Sequence, residues 1–269
     1  MDKLDRLILD RVLSTFSAQE FRYPTLISSA VLEDSGYVSS FPQFVFFVNR
    51  LHADYDTYRK FRAALCGGSD LTRAVQEFTI DSGYALPPTV CLHTYNQMRG
   101  KYVPVDGCVI TSRGKSFRYE SKYRTTLERL WDFTIREIVF IGDREFVLKC
   151  RNEFMKMIMD LMVDLGMSGE VEVAHDYFFG NCEVSERIIA QRLMHLKYEL
   201  RVPVGSSDSL AAASFNLHGT RFGNAFDIRL HDGSVAYTSC SGIGSERLTY
   251  AFLFHCGIDT GNWPCIMTS

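Results

Sequence analysis

The sequence has no long uninterrupted apolar run, no CxxC pair of cysteines and no surplus of basic residues. A membrane-spanning helix needs about 18 or more consecutive apolar residues, and no segment approaches that length. The opening segment MDKLDRLILDRVLSTFS carries charges throughout, where a secretory signal would have an apolar core. The formal net charge of −3 weighs against a protein whose main task is to grip nucleic acid. We therefore expect a cytoplasmic protein without membrane contact.

Repeats, low-complexity tracts and linkers are also absent, and the chain has only 7 prolines. What is present is an ordinary globular composition, 46% hydrophobic and 23% charged over 269 residues, which suffices for a sizeable core. The 8 cysteines are expected to be thiols or metal ligands, since disulfides are rare in a reducing compartment. Without a linker, residues 1–269 are predicted to form a single domain.

The spacing of apolar residues predicts helices over 3–16, 54–66 and 143–165, with Asp143 as the N-cap of the last. Short apolar or alternating runs predict strands at 44–48, 89–98, 106–120, 129–141, 170–175, 195–204, 209–217 and 223–230. A further strand before residue 241 is expected to enter a glycine turn and then an apolar helix. This order indicates an α+β fold with a mostly antiparallel sheet flanked by helices.

A strongly charged hairpin is predicted over residues 117–141. Arg118 and Glu120 share one strand face, and Arg129, Trp131 and Phe133 share another, because residues two apart point the same way. If the two faces coincide, the wall suits a nucleotide: guanidinium groups bind phosphates, a carboxylate accepts from an amine and a ring stacks on a base. The alternative is a solvated hairpin with surface ion pairs.

The segment SCSGIGSERL forms a second candidate. Gly242 and Gly244 permit a tight turn, and Arg247 falls in the first turn of the helix that follows. A glycine pair is a weak signal by itself, so a helix entry with a surface arginine is the alternative.

Together, these stretches resemble the signature motifs of class II aminoacyl-tRNA synthetases. FRYE and RLWDF resemble the second motif, GIGSER the third, and FRYPTLISSAVLEDSGYVSSFP, with Pro24, the first, which builds a dimer interface. The resemblance implies a homodimer and an ATP site. In that site Arg118 would bind the α-phosphate, Glu120 the adenine amino group, and Phe133 would stack under the base. Arg247 would cover the other face and reach the terminal phosphates, and Arg129 and Trp131 would complete the site.

The resemblance narrows to amino acid:carrier-protein ligases, small relatives of the zinc-dependent seryl-tRNA synthetases. It rests on Cys91 in PPTVCLHTY, Glu137 in FTIREIVFIG and Cys240 in AYTSC. The resemblance implies that these three bind Zn²⁺ and leave one position open for the α-amino group of an amino acid. Taken alone, a lone cysteine is more often a small buried hydrophobe. Six further cysteines match no position of the pattern and are read as structural: residues 66, 108, 150, 182, 256 and 265.

Three polar residues in family-like stretches, Asp176, Lys197 and Glu199, are candidates for the amino-acid pocket. For Lys197 and Glu199 a structural ion pair is an equal alternative. Four histidines are pocket candidates with a structural role as the more frequent alternative: His93, His175, His218 and His231.

The resemblance implies that ATP activates a small amino acid, glycine or alanine first, as an adenylate. The thiol of a phosphopantetheine arm on a carrier protein then takes the aminoacyl group. Class II enzymes typically hold Mg²⁺ through a carboxylate just before the third motif, but residues 234–240 contain no acid. Asp227 and Asp232 are the alternatives.

Two other functions remain open at this point. A seryl-like aminoacyl-tRNA synthetase would share these site residues. It is not favoured, because only a short amphipathic helix precedes the first motif and the chain carries a net negative charge. A degenerate paralogue that only binds or regulates would be expected to lack the intact arginine set.

Overall fold

Two β-sheets organise the chain in a computed structural model that describes residues 1–120, 127–176, 188, 194–205 and 208–268. The strands of these residues are β1 Gln19–Phe21, β2 Ile27–Ser28, β3 Phe46–Leu51, β4 Thr79–Leu86, β5 Cys108–Phe117, β6 Asp132–Gly142, β7 Glu170–Val173, β8 Lys197–Pro203, β9 Ser209–Gly219 and β10 Tyr237–Gly244. The large sheet has the order β1-β5-β6-β10-β9-β8-β7, and β2-β4-β3 form a small one. Only β1 and β5 pair in parallel, so both sheets are mainly antiparallel, as predicted.

Helices lie before, between and after these strands. Within the described residues they are α1 Asp2–Phe16, α2 Ser29–Asp34, α3 Tyr37–Ser40, α4 Tyr55–Cys66, α5 Leu71–Phe78, α6 Cys91–Gln97, α7 Arg144–Asp164, α8 Arg221–Ala225, α9 Ser245–Cys256 and α10 Cys265–Thr268. None of these helices combines the length and the apolarity needed to cross a bilayer.

The three helices expected from periodicity are confirmed as α1, α4 and α7. The carboxylate of Asp143 caps α7 by accepting the backbone N–H of Phe146 at 2.7 Å. The hairpin is confirmed as β5 and β6, but β5 ends at Phe117 and β6 begins at Asp132. Four of the predicted strand residues therefore lie beyond the regular strands: Arg118, Glu120, Arg129 and Trp131. Most of its predicted tip, residues 121–126, lies outside the described residues.

Three sequence-based assignments are wrong. Residues 89–98, expected as a strand, contain helix α6, and 223–230, also expected as a strand, contain the end of α8. In both segments the apolar residues recur at helical as well as strand spacing, and short apolar runs do not distinguish the two. The glycine turn is also absent, because Gly242 and Gly244 are the last residues of strand β10 itself.

One face of the large sheet is apolar and carries the main core. Ile138, Phe140 and Phe215 of this face are buried against α7, α9 and α1. Helix α7 contributes an apolar stripe of residues three or four apart, which includes Phe154 and Ile158. Fully burying one such side chain contributes about 1.5–3 kcal/mol, so this face accounts for much of the stability.

The opposite face of the same sheet is polar at its centre. Strand register puts Glu137, Gly242, Ser214 and Glu199 in one row across four strands. Paired residues share a face, as do residues two apart on a strand. The next row therefore lies on the same face and consists of Val139, Cys240, Asn216 and Lys197. Charged, amide and thiol side chains that are far apart in sequence therefore lie on the same face of the sheet.

Arg136 is one of two neighbouring charged residues in the middle of β6, and it has a structural role. Its neighbour Glu137 points to the polar face, so Arg136 points to the other, where only 2% of it is exposed. The guanidinium forks onto both carboxylate oxygens of Asp5 in α1, at 2.7 and 2.8 Å, and donates to Glu20 at 2.8 Å. This ion pair ties the N-terminal helix to the sheet.

Replacing Asp5 with Asn should lower the free energy of unfolding by about 3 kcal/mol, since breaking a buried pair leaves a charge poorly compensated. The measurement is urea unfolding at neutral pH. The control is Asp10→Asn, which removes an exposed partner of Arg6 and should change stability by less than about 0.5 kcal/mol. Equal unfolding midpoints for the two variants would contradict the account.

Candidate functional site

A cavity of about 120 Å³ opens where the β5–β6 hairpin meets β9, β10 and the start of α9. Four of the six predicted ATP residues line it: Arg118, Glu120, Phe133 and Arg247. Lys197 and Glu199, predicted for the amino-acid pocket, line it as well. The structure therefore brings residues from five separate segments of the chain to one cavity.

Arg118 is held in place at the mouth of the hairpin. Its Nε donates to the carbonyl oxygen of Pro88 at 2.9 Å, and its guanidinium carbon lies 5.4 Å from the ring centre of Phe133. The backbone N–H of Arg118 also donates to the carbonyl of Trp131 at 2.9 Å, which continues the strand pairing for one residue beyond β5. The cation and the ring thus stay on one wall.

Arg129 and Trp131 are not among the residues that line this cavity. Arg129 instead pairs with Glu120 at 2.5 Å, which fixes the carboxylate. Trp131 packs on Tyr119 and Phe46, with ring centres 4.7 and 5.9 Å away, and donates from Nε1 to the carbonyl of Glu120. Both side chains therefore hold Glu120 from outside the cavity, and their predicted contact with ATP stays a prediction.

Arg247 brings a second guanidinium into the cavity from the first turn of α9. Its Nε donates to the carbonyl of Glu128 at 2.7 Å, and Nη1 to that of Ala211 at 3.3 Å. Burial is the main cause that lowers the pKa of Arg247; the carboxylate of Glu120 acts in the opposite direction, and the charges of Arg118 and Arg129 add to the lowering. Two guanidinium groups that enter one cavity from different segments favour a negatively charged ligand.

The amino-acid candidates form an ion-pair cluster. Lys197 is buried, and its Nζ lies 2.6 Å from Asp176 and 3.1 Å from Glu199. Burial lowers the pKa of Lys197, but the two carboxylates outweigh burial and the net shift is upward. The ion pair named as the alternative is therefore present, and it lies on the cavity wall.

Sequence reasoning missed Glu246, the residue before Arg247. Both oxygens of its buried carboxylate lie 2.8 Å from the backbone N of Thr134, so it ties α9 to β6 and also lines the cavity. Its position next to Arg247 in the motif GIGSER could have identified Glu246 as a candidate site residue. Asp227 and Asp232 do not line the cavity: Asp227 pairs with Arg229, and Asp232 accepts from Ser234.

A group of metal-ligand type lies beside the cavity. The ligand atoms of Cys91, Glu137 and Cys240 all lie within 4.8 Å of one another, and all three residues are buried. Glu137 sits diagonally across from Cys240 on neighbouring strands, because the register partner of Cys240 is Val139. Cys91 belongs to neither strand and is the first residue of helix α6. These residues are 46 and 103 positions apart, so only the fold brings them together.

Hydrogen bonds orient the carboxylate of this group. The backbone N–H of Cys91 and the hydroxyl of Thr89 both donate to Glu137. Burial raises the pKa of Glu137 to about 7. Hydrogen bonding between the cysteines raises the pKa of Cys91 and lowers that of Cys240.

The donor set fits a divalent cation. Two thiols and a carboxylate buried in contact are costly to ionise unless a positive charge compensates them. Two sulfurs and an oxygen are ligands that zinc accepts, and three protein ligands are the number typical of a site with an open position.

Of the other candidate residues, His218 contacts this group, because its Nε2 lies 3.3 Å from Sγ of Cys240. Among the described residues, neither the other cysteines nor His93, His175 and His231 belong to a cluster of this kind. Cys66 and Cys265 are exposed, and Cys182 lies outside the described residues.

Comparison with known proteins places the chain among amino acid–[acyl-carrier-protein] ligases and serine–tRNA ligases. Amino acid–[acyl-carrier-protein] ligase 1 of Bradyrhizobium diazoefficiens is 33% identical over 91% of this chain and 74% of its own length. Ligase 2 of that organism is 30% identical over 96% and 77%. The type-2 serine–tRNA ligase of Methanothermobacter thermautotrophicus is 25% identical over 97% of this chain but only 52% of its own length.

Solved structures give the fold. M. kandleri SerRS, solved in complex with A. aeolicus tRNASec, superposes with a TM-score of 0.87 at 22% identity, over 99% of this chain and 53% of that one. Seryl-tRNA synthetase from Pyrococcus horikoshii gives 0.70 at 14% identity, over 98% and 53%. The chain thus spans about half of these synthetases and has the class II synthetase fold expected from its motifs.

No protein-family model matches the chain, so its assignment rests on individual relatives. The identity to ligase 1 extends over three quarters of that protein, and the identity to ligase 2 extends as far. The chain therefore belongs to the amino acid–[acyl-carrier-protein] ligase family.

Proposed function

We propose that this chain uses ATP to activate a small amino acid as its adenylate and transfers the aminoacyl group to the phosphopantetheine thiol of a carrier protein. Residues 1–269 would act as one catalytic domain. The observation that carries the proposal is the adjacency of the arginine-lined cavity and the Cys91/Glu137/Cys240 group. Gly242 lines the cavity and is also the register partner of Glu137, so ligands of the two sites would be neighbours.

The names of the relatives support the carrier protein as acceptor. The chain covers three quarters of two proteins named amino acid–[acyl-carrier-protein] ligase, but only half of the proteins named serine–tRNA ligase. The two carrier-protein ligases are 33% and 30% identical to this chain, and the type-2 serine–tRNA ligase of Methanothermobacter thermautotrophicus is 25% identical. On this difference in identity we propose a carrier protein, and not tRNA, as the acceptor.

The nucleotide would be held by the residues that line the cavity. Arg118 and Arg247 enter it from different segments and would bind the phosphates, where charge increases as the α-phosphate is attacked. Phe133 offers a ring for the adenine, and Glu120, held by Arg129, offers an acceptor for its amino group. Mg²⁺ is the expected companion of the phosphates.

Zinc is the metal that we propose for Cys91, Glu137 and Cys240. When bound, it would offer an open coordination position to the α-amino group of the amino acid. The three side chains would thereby fix which end of the substrate faces the cavity. The ion-paired cluster of Asp176, Lys197 and Glu199 would border the same pocket.

Both chemical steps depend mainly on positioning. In the first, a carboxylate oxygen of the amino acid bonds to the α-phosphorus and the bond to pyrophosphate breaks. In the second, the sulfur of the phosphopantetheine arm attacks the carbonyl carbon and AMP leaves. Holding the reactants in line supplies much of such a rate acceleration, and a thiol is nucleophilic enough to need no dedicated base.

We also propose that the enzyme is a homodimer built on the first motif. In this chain the segment around Pro24 is exposed, and Leu26 beside it is 42% exposed. A cleft of about 610 Å³ adjoins this segment and is lined by Arg22, Tyr23 and Pro24, among others. A second copy would cover this surface.

The full chain should catalyse pyrophosphate exchange with ATP in the presence of glycine or alanine and of few other amino acids. With radiolabelled amino acid, the label should appear on a phosphopantetheinylated acyl carrier protein but not on its apo form or on total tRNA. Label on tRNA alone would favour the seryl-like synthetase. No exchange with any amino acid would indicate a paralogue that only binds.

A matched pair of arginine variants controls this assay. Arg247→Met should lower the exchange rate by about 100-fold or more, as expected for the loss of a donor that stabilises transition-state charge. Arg229→Met removes a partly exposed arginine outside the cavity and should leave the rate unchanged.

The purified chain should contain about one zinc ion, since its three converging ligands suit a single site. Cys91→Ser and Cys240→Ser should lose both the metal and the exchange activity while the circular dichroism spectrum is kept. Cys150→Ser is the control, because Cys150 is equally buried but lies in the core on the other side of the sheet. Full zinc content in Cys240→Ser would refute the ligand assignment, and a metal-free wild-type chain would refute the site.

A further inference from the structure

Strand β9 contains a β-bulge beside Cys240. The register pairs Cys240 with Asn216, Ser239 with Leu217 and then Thr238 with Gly219, so one residue of β9, His218, has no partner on β10. Gly219 completes the bulge with a φ of 58°, in the left-handed region that side chains rarely adopt. Bulges often lie beside active sites, where they redirect a side chain.

The side chain at this bulge contacts the candidate metal group. Nε2 of His218 lies 3.3 Å from Sγ of Cys240, while the amide nitrogen of Asn216 lies 3.9 Å from the same sulfur. His218 is therefore the nearer of the two nitrogen groups that approach this thiol from β9. Both of these contacts reach the sulfur from the strand next to its own.

Aromatic rings hold the imidazole in this position. The ring of Phe222 lies edge-on at 4.7 Å between centroids, and that of Tyr95 at 6.1 Å with an interplanar angle of 89°. Tyr95 is fully buried and belongs to α6, the helix that begins with Cys91. Packing of this kind restricts the rotation of the imidazole and keeps Nε2 directed at the sulfur.

His218 does not join the cluster of ligand atoms itself. The group whose atoms all lie within 4.8 Å of one another contains Cys91, Glu137 and Cys240 but not His218. The imidazole contacts one ligand from the side. A group in this position orients a ligand and does not replace one. Partners of this kind, when removed, typically change metal affinity by about 10–100-fold.

We propose that His218 is a positioning residue of this metal centre: its Nε2–H donates a hydrogen bond to the sulfur of Cys240 and holds that thiolate towards Cys91 and Glu137. The inference rests on the metal centre of the proposed function. In this account, the bulge in β9 directs the imidazole of His218 at the sulfur of Cys240. This contact also distinguishes His218 from His93, whose ring stacks on Tyr23, and from His195, whose ring stacks on Tyr198.

The test is zinc affinity of the full-length chain, measured by competition with a chromogenic chelator. His218→Phe retains an aromatic ring but no donor, and should weaken zinc binding by about 10–100-fold. His218→Gln retains an N–H near the position of Nε2 and should stay within about 3-fold of the wild type, because the hydrogen bond survives. His231→Phe, at an exposed histidine, is the control and should bind zinc as the wild type does.

Cobalt provides a second readout that does not depend on turnover. In the Co²⁺-loaded chain, the sulfur-to-metal charge-transfer band should shift in His218→Phe and remain in place in His218→Gln, because the hydrogen bond changes the electron density on sulfur. Unfolding of the metal-free variants shows whether either substitution merely damages the fold.

Three results would overturn the inference. Wild-type zinc affinity in His218→Phe would show that the hydrogen bond is not needed. An equal loss in His218→Phe and His218→Gln would show that only packing matters. A wild-type chain that binds no zinc would remove the metal centre, and the inference with it, whereas the first two results would leave the proposed function intact.

Discussion

The burial of two thiols and a carboxylate at one point of the sheet is the constraint on which the rest of the site depends. Cys91, Glu137 and Cys240 lie in a buried position where ionised groups are costly without a compensating charge. The metal that we propose for this group would offset that cost. The surrounding hydrogen bonds from Thr89 and the backbone of Cys91 orient the carboxylate in advance.

Because side chains alternate between the two faces of β6, neighbouring residues of this strand have different roles. Arg136 faces the helices and ties α1 to the sheet through Asp5, while Glu137 faces the site. Successive side chains of a strand point to opposite faces, so these two neighbouring charges of opposite sign do not pair with each other. The density of charge in this hairpin therefore has two causes, one structural and one in the candidate site.

The sequence predicted much of this protein, and where it failed the reason is physical. Long periodic helices such as α7 were predicted correctly, down to the cap at Asp143, because many residues contribute to the pattern. Helix α6 was misread because seven residues are too few to distinguish helical from alternating spacing. Gly242 was read as a turn, whereas it leaves space within a strand: an added Cβ would lie 2.8 Å from Cδ1 of Ile135. Strand register brings Glu137 close to Cys240, and helix α6 brings Cys91 to both, so this convergence could be anticipated only through family resemblance.

The coordination shell of the bound metal tests the account most directly. X-ray absorption of the zinc-loaded chain should show two sulfur neighbours at about 2.3 Å and lighter neighbours at about 2.0–2.2 Å, as expected for two thiolates with a carboxylate and an open position. A shell without sulfur, or one with four sulfurs, would contradict the convergence of Cys91, Glu137 and Cys240 on a single cation.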